Sequence, residues 1–209
     1  LIEVGVLELN LNPENYFAFV DKRMAKGRTP FSSTEELMKV LKSGRNISSE
    51  EKTLFFSFLF THNTKVGFLT FTLGITAIPT FFLLILNGGM LGAMSACYQL
   101  HSLSIPFWAW ILPHGITEFL AIILCAGAGF MLAIAILKPG KYGRIQNLRL
   151  VAKDAGLIVM ATVPMFLIAG IIEGFFRQTH LPSGIRYLFA IITAFFWIFY
   201  FRQSYRYDT

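Results

Sequence analysis

Charge is what this chain has least of. Only 14% of its 209 residues are Asp, Glu, Lys or Arg, where a protein folded in water carries about a quarter. That excludes an ordinary water-soluble domain, and 55% hydrophobic residues with a mean hydropathy of +0.59 point to lipid instead. Cysteine is almost as scarce. Cys97 and Cys125 both lie inside apolar stretches, so the chain has neither a disulfide framework nor a Cys-x-x-Cys metal or redox pair. Gly-x-Ser-x-Gly, Walker A and Gly-x-Gly-x-x-Gly motifs are absent, and no Asp falls in an apolar run. Those absences remove serine-hydrolase and nucleotide-hydrolysing chemistry from this chain by itself. The formal charge of +6 would suggest nucleic acid in a soluble protein. Here the Lys and Arg residues flank apolar blocks as membrane proteins arrange them, and no nucleic-acid partner is expected.

What is present is a series of long apolar blocks. Charged residues are frequent up to Lys65, vanish until Glu118, and afterwards alternate with apolar runs. A hydrocarbon core about 30 Å thick requires roughly 20 apolar residues per helix, and the runs at 66–86, 116–137, 155–176 and 187–201 supply four crossings. Between the first two lies 88–113, apolar but broken by Asn87-Gly88-Gly89, Gln99, His101, Pro106 and Pro113. Irregular backbone at that depth must be covered by protein or line a wet cavity, so the segment reads as an interrupted or re-entrant element. The expected fold is therefore all-α: a polytopic α-helical membrane protein with four crossings plus this insertion.

Orientation follows from Lys and Arg. Nine precede the first span, five fill 138–153, and two follow the last span. Only Arg177 and Arg186 fall between the third and fourth spans, and 88–113 has none. The positive-inside rule then places both termini and the 138–153 loop in the cytoplasm of a cell (inner) membrane protein. Residues 1–52 read as a cytoplasmic helical preamble, too short for a core of its own, and 53–209 as the membrane domain. Asn12-Pro13 opens a helix over 14–26. Ser33-x-x-Glu36 ahead of 37–41 is a capping box, and Ser48-x-x-Glu51 begins another helix. The apolar residues from Leu54 to Phe60 suggest a stretch along the membrane surface, which His62-Asn63 turns inward. The chain begins at Leu1 and not Met, which leaves room for an upstream segment.

Ionisable groups inside spans carry the functional interest, because holding them in lipid costs a few kcal/mol or more. His114 and Glu118 are spaced i, i+4 at the start of the second span, and Glu173 and Arg177 repeat the spacing at the end of the third. With Asn87 they converge on the extracytoplasmic half and are expected to form one polar intramembrane site. Three readings of it stay open: a structural ion pair with hydrogen-bonded neighbours, an ion relay or substrate pocket, and a metal site of His114, Glu118 and Glu173. Gly88 with Gly92, and Gly170 with Gly174, form Gly-x-x-x-Gly pairs suited to close helix packing within the chain or in a homodimer. No cofactor is expected, and an enzyme is the less favoured class.

The apolar portion also resembles a known family. Phe58-Leu59-Phe60-Thr61-His62-Asn63-Thr64-Lys65-Val66-Gly67, Leu86-Asn87-Gly88-Gly89-Met90-Leu91-Gly92, Pro113-His114-Gly115-Ile116-Thr117-Glu118, Lys138-Pro139-Gly140-Lys141 and Ala169-Gly170-Ile171-Ile172-Glu173-Gly174-Phe175-Phe176-Arg177-Gln178 resemble the stage II sporulation protein M (SpoIIM, DUF95) family. The likeness covers roughly residues 50–200. It implies a non-catalytic membrane anchor or scaffold for peptidoglycan-remodelling, cell-envelope machinery, with membrane or envelope protein partners. The alternatives are a small ion or solute transporter or channel, and an intramembrane metal-dependent hydrolase. Similar proteins occur in organisms that never sporulate, so the family name does not imply spores. The five polar residues fall on the family's motifs.

Overall fold

The computed structural model describes residues 2–25, 27–42, 48–141, 143–177 and 179–207. Lys26 and Arg45 of the preamble and Gln178 of the family motif lie outside them. Among the described residues every regular element is helical. Ahead of the membrane part come α1 (Ile2–Leu11), a 3-10 turn (Pro13–Ala18), α2 (Lys22–Ala25) and α3 (Thr34–Lys42). The long helices follow: α4 (Ser49–Gly74), α5 (Ile78–Leu100), α6 (Ser104–Leu137), α7 (Arg144–Ile171) running into a π-helical turn (Ile172–Phe176), and α8 (Ser183–Tyr207).

The expected capping box forms at Ser33, and a second one opens α4 at Ser48. Glu36 N–H donates to Ser33 Oγ at 3.2 Å while Ser33 N–H donates to Glu36 Oε2 at 2.7 Å, and Ser48 and Glu51 repeat the exchange at 3.2 and 2.9 Å. Each pair satisfies two backbone donors that a helix start otherwise leaves bare. The helix expected over 14–26 divides instead into the 3-10 turn and α2, with Phe19 to Asp21 outside regular helix.

Among the described residues, four helices are long and apolar enough to cross a membrane: Ile78–Leu100, Ser104–Leu137, Arg144–Phe176 and Ser183–Gln203. The protein is thus an all-α multi-pass membrane protein. The first crossing differs from the 66–86 run, which breaks at 75–77. Pro79 has no N–H and disfavours helix in the residue before it, and Ala77 takes a left-handed backbone with φ of 59°. Side-chain donors add to the backbone bonds of the last turn of α4: Thr76 Oγ1 donates to Leu73 O at 2.8 Å, and buried Thr80 Oγ1 donates to Thr70 O at 3.0 Å. By contrast Asn87-Gly88-Gly89 stays inside continuous α5, and the interruption of 88–113 is the short turn at 101–103, where Ser102 has φ of 58°. His62-Asn63 does not turn the chain either. α4 runs straight through it, with Asn63 buried.

The chain gathers into two compact units. The first holds residues 1–47, 85–113 and 177–209. Its apolar cluster joins Tyr16, Val20 and Leu37 of the amino-terminal segment to Cys97, Tyr98 and Phe107 of α5 and α6. Phe19 packs on Gly89, and Thr34 Oγ1 lies 3.4 Å from His101 Nδ1. The preamble therefore completes its core with 85–113. The charge pattern alone had put these two segments on opposite faces of the membrane. A shared core and a side-chain hydrogen bond cannot reach across a bilayer about 30 Å thick, so the two lie together. Tyr187 Oη of α8 donates to Ile105 O at 2.9 Å in the same unit.

The second unit holds residues 48–84 and 114–176. Here α4 packs against α6 and α7 through glycines. A Cβ on Gly74 would stand 2.4 Å from Gly129 Cα, so these two helix backbones touch. Gly67 faces the Phe166 ring, while Gly170 and Gly174 face Phe56. Membrane helices lack a hydrophobic drive to associate, and small residues supply the close contact that dispersion requires. Asn147 Nδ2 donates to Ala135 O at 2.9 Å and fixes the start of α7 against the end of α6.

Candidate functional site

Within the second unit, His114, Glu118 and Glu173 present one ligand atom each, and these atoms all lie within 4.8 Å of one another. His114 follows Pro113, which is inside α6 and, lacking an N–H, removes the helix hydrogen bond to the Ala109 carbonyl. Glu118 stands one turn further on the same face. Glu173 comes from the π-helical turn that ends α7. Such a turn carries one residue more than an α-turn and is frequent at functional sites. Behind it, Gly174 lets α4 approach so closely that an added Cβ would lie 2.9 Å from Phe56 Cβ.

His114 Nε2 stands 3.9 Å from Glu173 Oε1, with the two side chains 6% and 10% exposed. That separation is beyond a direct hydrogen bond and within ion-pair range if the imidazole is protonated. Two ionised carboxylates this close repel by roughly 3–4 kcal/mol even at an effective dielectric constant of 20.

The remaining expected site residues belong to the first unit. Asn87 is half-buried on α5. Arg177 is buried, its guanidinium 4.3 Å from the centre of the Trp110 ring. Trp110 was not among the residues singled out in the sequence, since nothing in a Trp within an apolar run marks it as a cation platform. Of the glycine pairs, Gly170 and Gly174 meet α4, whereas a Cβ on Gly88 or Gly92 would meet nothing within 4 Å. The closest backbone approach belongs to Gly74 and Gly129, which no Gly-x-x-x-Gly spacing announces.

Stage II sporulation protein M is the description of the family whose sequence profile matches residues 16–178. The chain belongs to that family. As a stage II sporulation protein M family member it is matched from the preamble onward, so Tyr16 and the amino-terminal core fall within the shared region along with His114, Glu118, Glu173 and Arg177. No curated protein and no solved structure matches it.

Proposed function

We propose that this protein is a non-catalytic scaffold or anchor for cell-envelope, peptidoglycan-remodelling machinery in the inner membrane. Membership of the stage II sporulation protein M family carries this reading. The surface of α8 suits it: Leu188, Ile191, Ile192, Phe195, Phe196 and Phe199 are exposed and need lipid or partner helices over them. Photo-crosslinking from position 199 in living cells tests the reading. Adducts with an envelope protein that acts on peptidoglycan support it, and adducts with lipid alone overturn it.

A second reading, a small ion or solute transporter or channel, is favoured by the buried group of His114, Glu118 and Glu173. Purified protein in liposomes separates the two. A scaffold passes no proton or cation current, whereas a conduit shows a flux abolished by Glu118→Gln. The intramembrane hydrolase has less support, because the three groups are all consumed as ligands and leave no general base among them.

For orientation we propose that the 138–143 loop and the carboxyl terminus are cytoplasmic, from Lys138, Lys141, Arg144, Arg149 and Lys153. The shared core of the preamble with 85–113 favours the opposite face for residues 1–47. In that arrangement α4, packed along α6 and α7, is a fifth crossing. Lys65 lies exposed on α4, so that side of the helix would face a partner or a polar cavity.

A further inference from the structure

We propose that His114, Glu118 and Glu173 bind one divalent first-row transition-metal ion that ties α6 to the π-helical turn. The donor set is one imidazole nitrogen and two carboxylate oxygens, each a ligand type that zinc accepts, and three protein ligands leave a fourth position open. Those donors arise from two helices and not from one acidic run, and the ligand atoms already converge to within 4.8 Å.

Bonds of about 2.0–2.2 Å to nitrogen and oxygen require tetrahedral ligands to lie roughly 3.3–3.6 Å apart. The 3.9 Å between His114 Nε2 and Glu173 Oε1 is a few tenths wider. The three ligand atoms together span up to 4.8 Å, so binding would draw them in by up to about 1 Å through the rotatable Glu118 and Glu173 side chains. Burial strengthens the case, because His114 and Glu173 are nine-tenths or more withdrawn from solvent, so bulk water competes poorly for an ion held there. The imidazole decides the class of ion. Magnesium and calcium favour all-oxygen shells, whereas imidazole nitrogen favours zinc and its neighbours.

The position also gives the ion a structural effect. The π-turn interrupts the regular α-helical ladder at the end of α7. An ion bonded to Glu173 and to two residues of α6 would fix the turn, so binding is expected to raise the thermal midpoint of the folded protein. This proposal stands apart from the scaffold reading. A scaffold without metal and a metal protein with no envelope partner are both detectable outcomes.

The test uses the full chain in detergent with any affinity tag removed, stripped with chelator and dialysed against zinc chloride in excess magnesium. Wild type is expected to retain roughly one zinc per chain and to melt at a higher temperature with zinc than without. His114→Ala, Glu118→Gln and Glu173→Gln are each expected to lose retention by at least about ten-fold, and Glu36→Gln, far along the chain and exposed, to behave as wild type. Zinc retention equal in wild type and His114→Ala overturns the proposal, as does magnesium competing on equal terms. Should a variant fail to fold, cobalt(II) added to wild type decides alone. Visible bands that zinc displaces support the site, and their absence rejects it.

Discussion

Arg177 shows how one buried charge is accommodated without lying in lipid. Its guanidinium rests on the face of Trp110, and both residues are 9% exposed. A desolvated cation–π contact contributes roughly 1–2 kcal/mol, so Trp110→Leu is expected to lower stability by about that amount in thermal unfolding. Arg177→Lys will not restore it, since an ammonium cannot stack flat on the ring. A second single-residue test lies outside the membrane. The Glu36 carboxyl is held below its usual range by hydrogen bonds from the Ser33 N–H and hydroxyl. A depressed acid contributes stability above its unfolded pKa and loses it as pH falls through the folded value. Ser33→Ala is therefore expected to move the Glu36 midpoint, followed by NMR, up toward the ordinary carboxylate range. Tyr16 runs the other way. Burial raises its phenol above its ordinary 10.0, so its contribution is complete below that pH and falls as pH rises beyond it. Tyr16→Phe removes this alkaline slope, and loss of the 2.5 Å bond to Arg28 O costs about 1 kcal/mol near neutrality.

Among the elements, the contact of α4 with α6 is the sharpest to probe. A Cβ on Gly129 would lie 2.5 Å from the Phe71 carbonyl oxygen and 2.7 Å from Gly74 Cα, both backbone atoms that cannot rotate away. Gly129→Ala is expected to destabilise by about 2–3 kcal/mol, the range for overpacking. Two residues earlier Gly127 meets nothing within 4 Å. Gly127→Ala is then expected to be neutral or to stabilise by up to about 1 kcal/mol through helix propensity. Equal effects of the two substitutions would show that the helices do not approach there. At the turn between α4 and α5, Thr80→Val deletes the donor to Thr70 O inside the unit. The expected cost is near 1 kcal/mol, as for other interhelical hydrogen bonds in membranes.

At the scale of the whole molecule, topology is the decisive measurement. Cysteines placed at exposed Lys39 and at Ser183 are expected to label from one face of the membrane in intact cells, and Arg144→Cys only after permeabilisation. Lys39→Cys behaving like Arg144→Cys would restore the arrangement read from charge alone and remove α4 as a crossing. Oligomeric state is a separate question. Gly88 and Gly92 leave open space on α5, and a homodimer formed there is expected to dissociate on Gly92→Leu, with molar mass in detergent halving. Unchanged mass would place any dimer elsewhere.

Much of this was legible in the residues. Scarcity of charge and the spacing of apolar runs determine a helical membrane protein, because lipid offers the backbone no other hydrogen-bond partners and each crossing needs a fixed length. Capping boxes are legible for a similar reason, since Ser33 with Glu36 and Ser48 with Glu51 satisfy their own neighbours. The i, i+4 spacing of His114 and Glu118 likewise fixes a shared helix face. Tertiary structure alone decided the rest. That Glu173 reaches those two depends on the π-turn and on how closely α4 passes Gly174, and neither is encoded in local spacing. The break came at 75–77 and not at 87–89 because Pro79 lacks an N–H and disfavours helix just before it, while Asn87-Gly88-Gly89 keeps every backbone donor and continues α5. The preamble joined 85–113 because a short amphipathic segment has no core of its own, and its apolar partners lie about seventy residues further along the chain.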